Sequence, residues 1–364
     1  MGRTGTEEGP SDLGIMKKTL LSLILISSLL LLSACAAEPA SSAGMQQSAV
    51  PEEKSVSFFA MDTYMSIRAY RADDALLQKA KERAEGLDAL LSVTSESEIA
   101  ALNRDKKAVL SEESAALLER ALQLCAALDG SLDISIYPAV KAWGFTTGEY
   151  RVPSAAELES LIPLVDYKNV SLNGREASLG EGMEIDLGSV AKGWASDSII
   201  GLLKDDGVSS ALLDLGGNVQ ALGSKPDGSP WRVAVQDPKG GGIIGVVKVS
   251  GKAVITSGGY ERYFEENGRI YWHIMDPKTC SPAESGLISA TAVGSEGVYC
   301  DALSTALFVM GEEKAVSYWR SAGDFEMILV TEDGRVLVSE GLEAVFTPQA
   351  GAPYEYRVIK HAEN

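Results

Sequence analysis

The hydrophobic period changes along this chain, and where it changes limits the fold more than any single motif. Between Asp73 and Leu203 the apolar residues recur at helical spacing. Leu76, Leu77, Ala80, Ala84, Leu87 and Leu91 follow Asp73, a residue suited to cap a helix, and Ala115, Leu118, Leu122 and Cys125 follow Ser111. Ser154 to Glu157 reads as a capping box opening a short helix that Pro163 limits. Gly188 to Leu203 is a further helix, entered from an apolar strand end at Met183 to Leu187. From Ser209 to Thr291 the texture becomes short strands with glycine-rich turns: Ala211–Leu215, Trp231–Val235, Ile243–Val249, Ala253–Thr256 and Arg269–Ile274. Ser55–Tyr70 alternates as one or two strands, with Val56 and Phe58, then Met65, Ile67 and Ala69, on alternate positions. Helices over Tyr299–Met310 and Glu312–Arg320 and a terminal hairpin around Asp333-Gly334 complete the pattern. Neither a repeat nor a composition break divides it. It predicts one mixed α+β domain over 56–350, with 351–364 as a tail.

The N-terminal segment must be set aside first. Lys17 and Lys18 precede an uncharged, almost wholly apolar run from Leu20 to Leu32, too short to span a bilayer as a mature helix. Residues before Met16 read as an over-extended start. The run ends in Leu32-Ser33-Ala34-Cys35, which resembles the lipobox of bacterial lipoproteins. That resemblance implies cleavage of residues 1–34 and lipid on the Cys35 sulfur and its new amino group; a plain signal peptide cut near Ala34 or Ala37 is the alternative. Residues 35–55, rich in Ala, Ser, Pro, Glu and Gln, read as a flexible tether. The expected location is the extracytoplasmic face of the membrane, periplasmic if there is an outer membrane.

Roughly 310 residues remain, enough for a large core. The net charge of −19 makes a poor nucleic-acid binder and disfavours anionic lipid. An anionic substrate on so acidic a body favours a bound cation, although solubility alone also explains the total. Cys125, Cys280 and Cys300 have no zinc spacing; Cys125 falls at a core position, and pairing of Cys280 with Cys300 is undecided.

Only two histidines occur, and His361 stands three residues from the C-terminus. A proton-transfer imidazole in the folded body is therefore His273, within His-Ile-Met-Asp-Pro-Lys-Thr. Asp301 and Thr305, four residues apart, share one helix face and suit a hard cation. Ile185 to Gly193 runs from strand through tight turn into helix; its amides and Lys192 suit an anion, and Ser189 offers a hydroxyl to metal or phosphate. A capped helix with a surface lysine explains the same residues. Asp214 to Asn218 and Thr256 to Gly259 are glycine-rich strand ends that serve equally as turns or ligand loops. Trp143-Gly144-Phe145 reads as pocket lining or as core.

Taken in order, these segments resemble one family. Ala60-Met61-Asp62-Thr63, Leu91 to Asn103, Asp129 to Asp133, Trp143-Gly144-Phe145, Ile185 to Gly193, Leu215-Gly216-Gly217, Thr256-Ser257-Gly258, His273 to Thr279 and Asp301 to Thr305 are similar in sequence and spacing to the ApbE family. Its members are FAD:protein FMN transferases, bacterial lipoproteins that move FMN from FAD onto a threonine of a target protein. The resemblance implies a mixed α/β domain of the ApbE (T-fold-like) type. It further implies FAD contacts from Met61, Ser131, Leu132, Asp133, Asp186 and Lys192, with His273 near the diphosphate, and Mg²⁺ on Ser189, Asp301 and Thr305. Two positions depart from the family pattern: Cys280 stands where glycine is usual, and Gly259 where aspartate is frequent.

The expected reaction is magnesium-dependent attack of a target threonine on the FMN-side phosphorus, with AMP leaving and His273 accepting the proton or orienting the diphosphate. An FAD pyrophosphatase on the same scaffold, or a flavin-binding lipoprotein without catalysis, are the alternatives. Thr146-Thr147-Gly148 lacks the small residues that follow in family targets, so self-flavinylation is not expected.

Overall fold

In a computed structural model, residues 51–361 are described. The expected signal peptide, Cys35 and most of the expected tether lie outside them. One sheet of nine strands organises the rest. Its members are β1 (Glu53–Ala60), β2 (Thr63–Tyr70), β3 (Ala211–Leu215), β4 (Asn218–Leu222), β5 (Ala253–Gly258), β6 (Leu287–Gly294), β7 (Glu326–Thr331), β8 (Arg335–Ser339) and β9 (Glu355–Ile359). They lie side by side in chain order. All neighbours are antiparallel except β8 and β9, which run parallel.

Alternation assigns the two faces. Leu213 and Leu215, Ala253 and Ile255, Ala290 and Ala292, and Met327 and Leu329 point into the larger core. Their neighbours Leu212, Val254, Val293, Ile328 and Val330 point into a second core on the other face. A sheet covered on both sides must read as near-continuous apolar runs, and the central strands do. The larger core is made with α1 (Asp74–Leu91), α2 (Glu98–Asp105), α3 (Glu112–Ala127), α6 (Gly188–Asp205) and α7 (Gly297–Ala322), whereas α4 (Tyr137–Ala142) and α5 (Ala155–Leu161) pack on a small separate cluster of Trp143, Phe145 and Met275. The second is closed by a three-stranded sheet of Trp231–Gln236, Ile243–Val249 and Phe346–Pro348.

The expected caps form: Asp73 accepts from the Leu76 amide, Ser111 from Ser114 and Ser154 from Glu157. The two expected C-terminal helices meet in α7 at Gly311, whose φ of 74° breaks the helical path. Three expectations need correction. Met183 to Leu187 pairs in no strand ladder; side-chain hydrogen bonds with Asn103 and Lys106 and a backbone bond from Asp186 to Ile134 hold it instead. The hairpin of β7 and β8 is not terminal, because β9 adds to β8 from within the expected tail. At the other end β1 begins at Glu53, inside the expected tether. Cys125, Cys280 and Cys300 are buried and unpaired. Among the described residues no helix is long and apolar enough to cross a membrane.

Candidate active site

Antiparallel strands in chain order send their connections out at alternate ends of the sheet, yet segments of the β2–β3, β5–β6 and β6–β7 insertions line one cleft. The first insertion, between β2 and β3, carries the segment ahead of α6. Asn103 pins it: its Nδ2 donates to the Ile185 carbonyl at 2.8 Å, and the Ile185 amide donates to Asn103 Oδ1 at 2.7 Å. An amide side chain thus replaces a neighbouring strand. The Asp186 amide donates to the Ile134 carbonyl at 2.8 Å, which ties it to the Ser131-Leu132-Asp133 turn. Asp133 is wholly engaged in holding that turn. Its Oδ1 accepts from the Ser135 amide and hydroxyl at 2.8 and 2.6 Å, and its Oδ2 accepts from the Tyr167 amide at 2.9 Å. Leu187, at the start of α6, supplies no side-chain cap, and Asp186 Oδ1 takes the Gly188 amide at 2.8 Å. Burial raises the Asp186 carboxyl, with the Gly188 amide and Arg262 opposing. The remaining amides of this first turn suit an anion.

α7 carries the carboxylate. Asp301 is 4% exposed, and its Oδ2 accepts from the Gly193 amide of α6 at 2.8 Å. Such proximity requires Gly193: a Cβ there would lie 2.4 Å from the Gly297 carbonyl oxygen. Burial pushes the Asp301 carboxyl up to about 6, while Lys192 pulls it down. Asn218 also steadies this charge by its nearness, yet its buried side-chain amide makes no hydrogen bond of standard geometry. One turn further, the Thr305 hydroxyl is 3.1 Å from Ser257 Oγ, itself 2.8 Å from Ser304 Oγ.

His273 comes from the insertion between β5 and β6. It follows a hairpin of Tyr263–Glu266 and Arg269–Trp272. The Arg262 carbonyl accepts the His273 amide at 3.1 Å and lies 3.2 Å from Nδ1. A carbonyl only accepts, so Nδ1 carries the proton and Nε2 keeps its lone pair. Burial first, then the charge of Arg262, pushes the imidazole down to about 3. It is neutral at pH 7. Aromatic stacking supports the hairpin: Tyr150 on Phe264 at 5.2 Å, Phe264 on Tyr271 at 5.1 Å, and Trp143 against Tyr271 at 5.2 Å.

The two departures are accommodated here. Cys280 has φ 55°, the left-handed region where glycine is free and other residues cost roughly 1 kcal/mol. Its carbonyl accepts the Trp143 indole N–H at 2.8 Å, so the turn is held from outside. A Cβ at Gly259 would stand 2.7 Å from the Trp272 ring, which leaves no room for a side chain.

All these insertions open on one cleft of about 1010 Å³. Met61, Ser131, Leu132, Asp133, Asp186, Ser189, Lys192, His273, Asp301 and Thr305 all line it; Cys35 lies outside the described residues. Met61 arrives on a two-residue turn with φ of 49° and, at Asp62, 57°. Sequence reasoning reached Asn103 and Asn218 only as the ends of longer segments, with no role of their own, and did not reach Glu261, a cleft carboxyl raised by burial against the pull of Lys192 and Arg262. His361 stacks on Trp319 at 3.9 Å and does not line the cleft.

Among the described residues no cluster of three or more His, Cys, Asp or Glu side chains could cage a metal. The donors fit an ion of another habit. Mg²⁺ is commonly held by one or two carboxylates and completes its shell with phosphate oxygens and water. Buried Asp301, with the Thr305 and Ser189 hydroxyls in the same cleft, matches that habit.

A comparison with known families settles the ancestry. The model of the ApbE family matches residues 61–329, a span that includes every cleft residue named from the sequence. The chain belongs to the ApbE family. An FAD:protein FMN transferase of Klebsiella pneumoniae (strain 342) is 30% identical over 297 residues, covering 79% of this chain and 92% of that relative. One from Treponema pallidum (strain Nichols) is 35% identical over 269 residues, covering 68% and 74%. The crystal structure of the ApbE protein from Thermotoga maritima superposes with a TM-score of 0.76 at 31% identity, covering 81% of this chain and 99% of that one. The mixed α/β architecture is thus the ApbE fold.

Proposed function

We propose that this ApbE protein transfers FMN from FAD to a threonine hydroxyl of an acceptor protein, in a magnesium-dependent reaction that releases AMP. Flavin transfer to protein follows from the family and from relatives that carry the transferase name. The observation that carries the chemistry is the convergence on one cleft of a neutral imidazole and a buried carboxylate. The acceptor oxygen attacks the FMN-side phosphorus, the phosphoanhydride P–O bond breaks, and AMP departs with that oxygen. His273 Nε2 receives the hydroxyl proton. The charges of Arg262 and Lys192 that depress its basicity are the ones a bound diphosphate offsets, so substrate binding raises the imidazole toward a working range. Asp301, Thr305 and Ser189 would hold a magnesium ion, which when bound would supply Lewis-acid stabilisation of phosphate charge. Lys192 and the first turn of α6 hold the diphosphate, while Met61 and the Ser131-Leu132-Asp133 turn border the rest of FAD.

Cleavage before Cys35, its lipidation and an extracytoplasmic location complete the proposal. Mass spectrometry of the mature N-terminus and loss of membrane association in Cys35→Ala check them. The reaction is tested by mixing protein, FAD and Mg²⁺ with and without an acceptor. A covalent fluorescent acceptor band with matching AMP is expected. AMP without an acceptor band makes the protein a pyrophosphatase, and neither product makes it a carrier.

A further inference from the structure

Helices α6 and α7 are fastened to each other by two carboxylates pointing in opposite directions, and only one of them lines the cleft. Asp301 of α7 takes the Gly193 amide of α6. Asp197 of α6 takes the first two amides of α7, Gly297 at 2.7 Å and Val298 at 2.8 Å, and is itself held by Gln220 Nε2 at 2.8 Å. α7 has no cap of its own, since the Glu296 side chain makes no capping bond. Space permits no slack: a Cβ on Gly297 would lie 2.4 Å from Ser196 Oγ, and one on Gly193 2.4 Å from the Gly297 carbonyl.

We infer that Asp197 is a positioning residue for the cation site, fixing the start of α7 so that Asp301 and Thr305 present their oxygens together. This rests on the magnesium reading above. Asp197 does not line the cleft and touches no reacting atom. Its action passes through the α7 backbone: Asp301 lies one turn beyond the amides Asp197 holds, and Thr305 one turn further. Asp197→Asn keeps the shape but turns an N–H toward α7 amides that need an acceptor. The first turn then loosens, and the carboxylate of Asp301 is no longer held square to the cleft.

The test is direct binding of Mn²⁺, a paramagnetic stand-in for Mg²⁺, to the purified full chain, alongside thermal melting and FAD binding without metal. Asp197→Asn is expected to weaken Mn²⁺ binding about 10-fold or more, the scale for partners that orient metal ligands, and Asp197→Glu to recover part of it. FAD binding without metal stays within about twofold of wild type, because no FAD-lining residue is altered. A lower melting temperature with unchanged Mn²⁺ affinity in the folded protein would mean a purely structural cap and overturns the inference. Asp301→Asn separates the two readings. If it binds Mn²⁺ like wild type, the magnesium reading fails and takes this inference with it; if it loses Mn²⁺ while Asp197→Asn does not, only the inference fails. Should Asp197→Asn not fold, Gln220→Ala removes one donor from Asp197, and a smaller weakening of about threefold is expected; none overturns the inference.

Discussion

The cleft has two walls built on different physics. The α6–α7 wall is fixed by buried hydrogen bonds and by backbones too close for a Cβ, as at Gly193 and Gly297. The hairpin wall, which delivers His273, rests on aromatic faces and exposes Tyr263 and Ile270 to solvent. Steric contact between backbones is a steep function of distance, whereas stacking is a sum of small terms. One wall therefore fails abruptly when altered and the other degrades by steps.

The largest break is expected from Gly193→Ala, which sets a methyl against the Gly297 carbonyl. A loss of about 3 kcal/mol or more in unfolding free energy is expected, read by denaturant melts. Asp301→Asn should leave the fold intact and lower the transfer rate by about 10³-fold, measured as AMP release at saturating FAD. His273→Gln should lower the same rate by about 10²-fold without changing metal affinity. Near-wild-type turnover in this variant would remove the imidazole from the chemistry.

The same substitution carries a pH signature. The folded protein holds His273 near 3 while an unfolded histidine titrates near 6.5, so the stability from keeping it neutral is present above pH 6.5 and is lost as pH falls toward 3. The difference between wild type and His273→Gln should vanish progressively over that window, in melts taken from pH 7 to pH 4. Phe264→Ala, which removes the middle ring of the stack, should cost about 1–2 kcal/mol and slow transfer only several-fold. Smallest is Cys280→Gly, expected to change stability by less than about 1 kcal/mol, since relief of a left-handed residue is offset by the loss of a buried side chain, with turnover unchanged. An equal response of both walls in this series would erase the contrast between them.

What could be read from the sequence divides along similar lines. Helices announced by a cap and a period, such as Asp73 with Leu76 to Leu91, were legible because both signals are local. β9 was not, because a short strand with polar neighbours shows its partner only in three dimensions. The extended stretch before α6 was misread as strand since its backbone is satisfied by Asn103, some eighty residues away. His273 and Asp301 stood out as chemically distinctive residues in an order that resembles ApbE. Asp197 and Asn103 did not, because their work is done on backbone amides and carbonyls, which leave no mark in composition.

The sheet keeps its strands in chain order, and the cleft residues named from the sequence come from the intervals between them. Each interval leaves one strand and returns beside it, so it behaves as a cassette that can change length while its two anchor points stay put. Closing a longer loop costs little, about 0.6 kcal/mol per doubling. The cassette between β5 and β6, which carries His273, can thus change length without moving the separate cassette that carries Asp301.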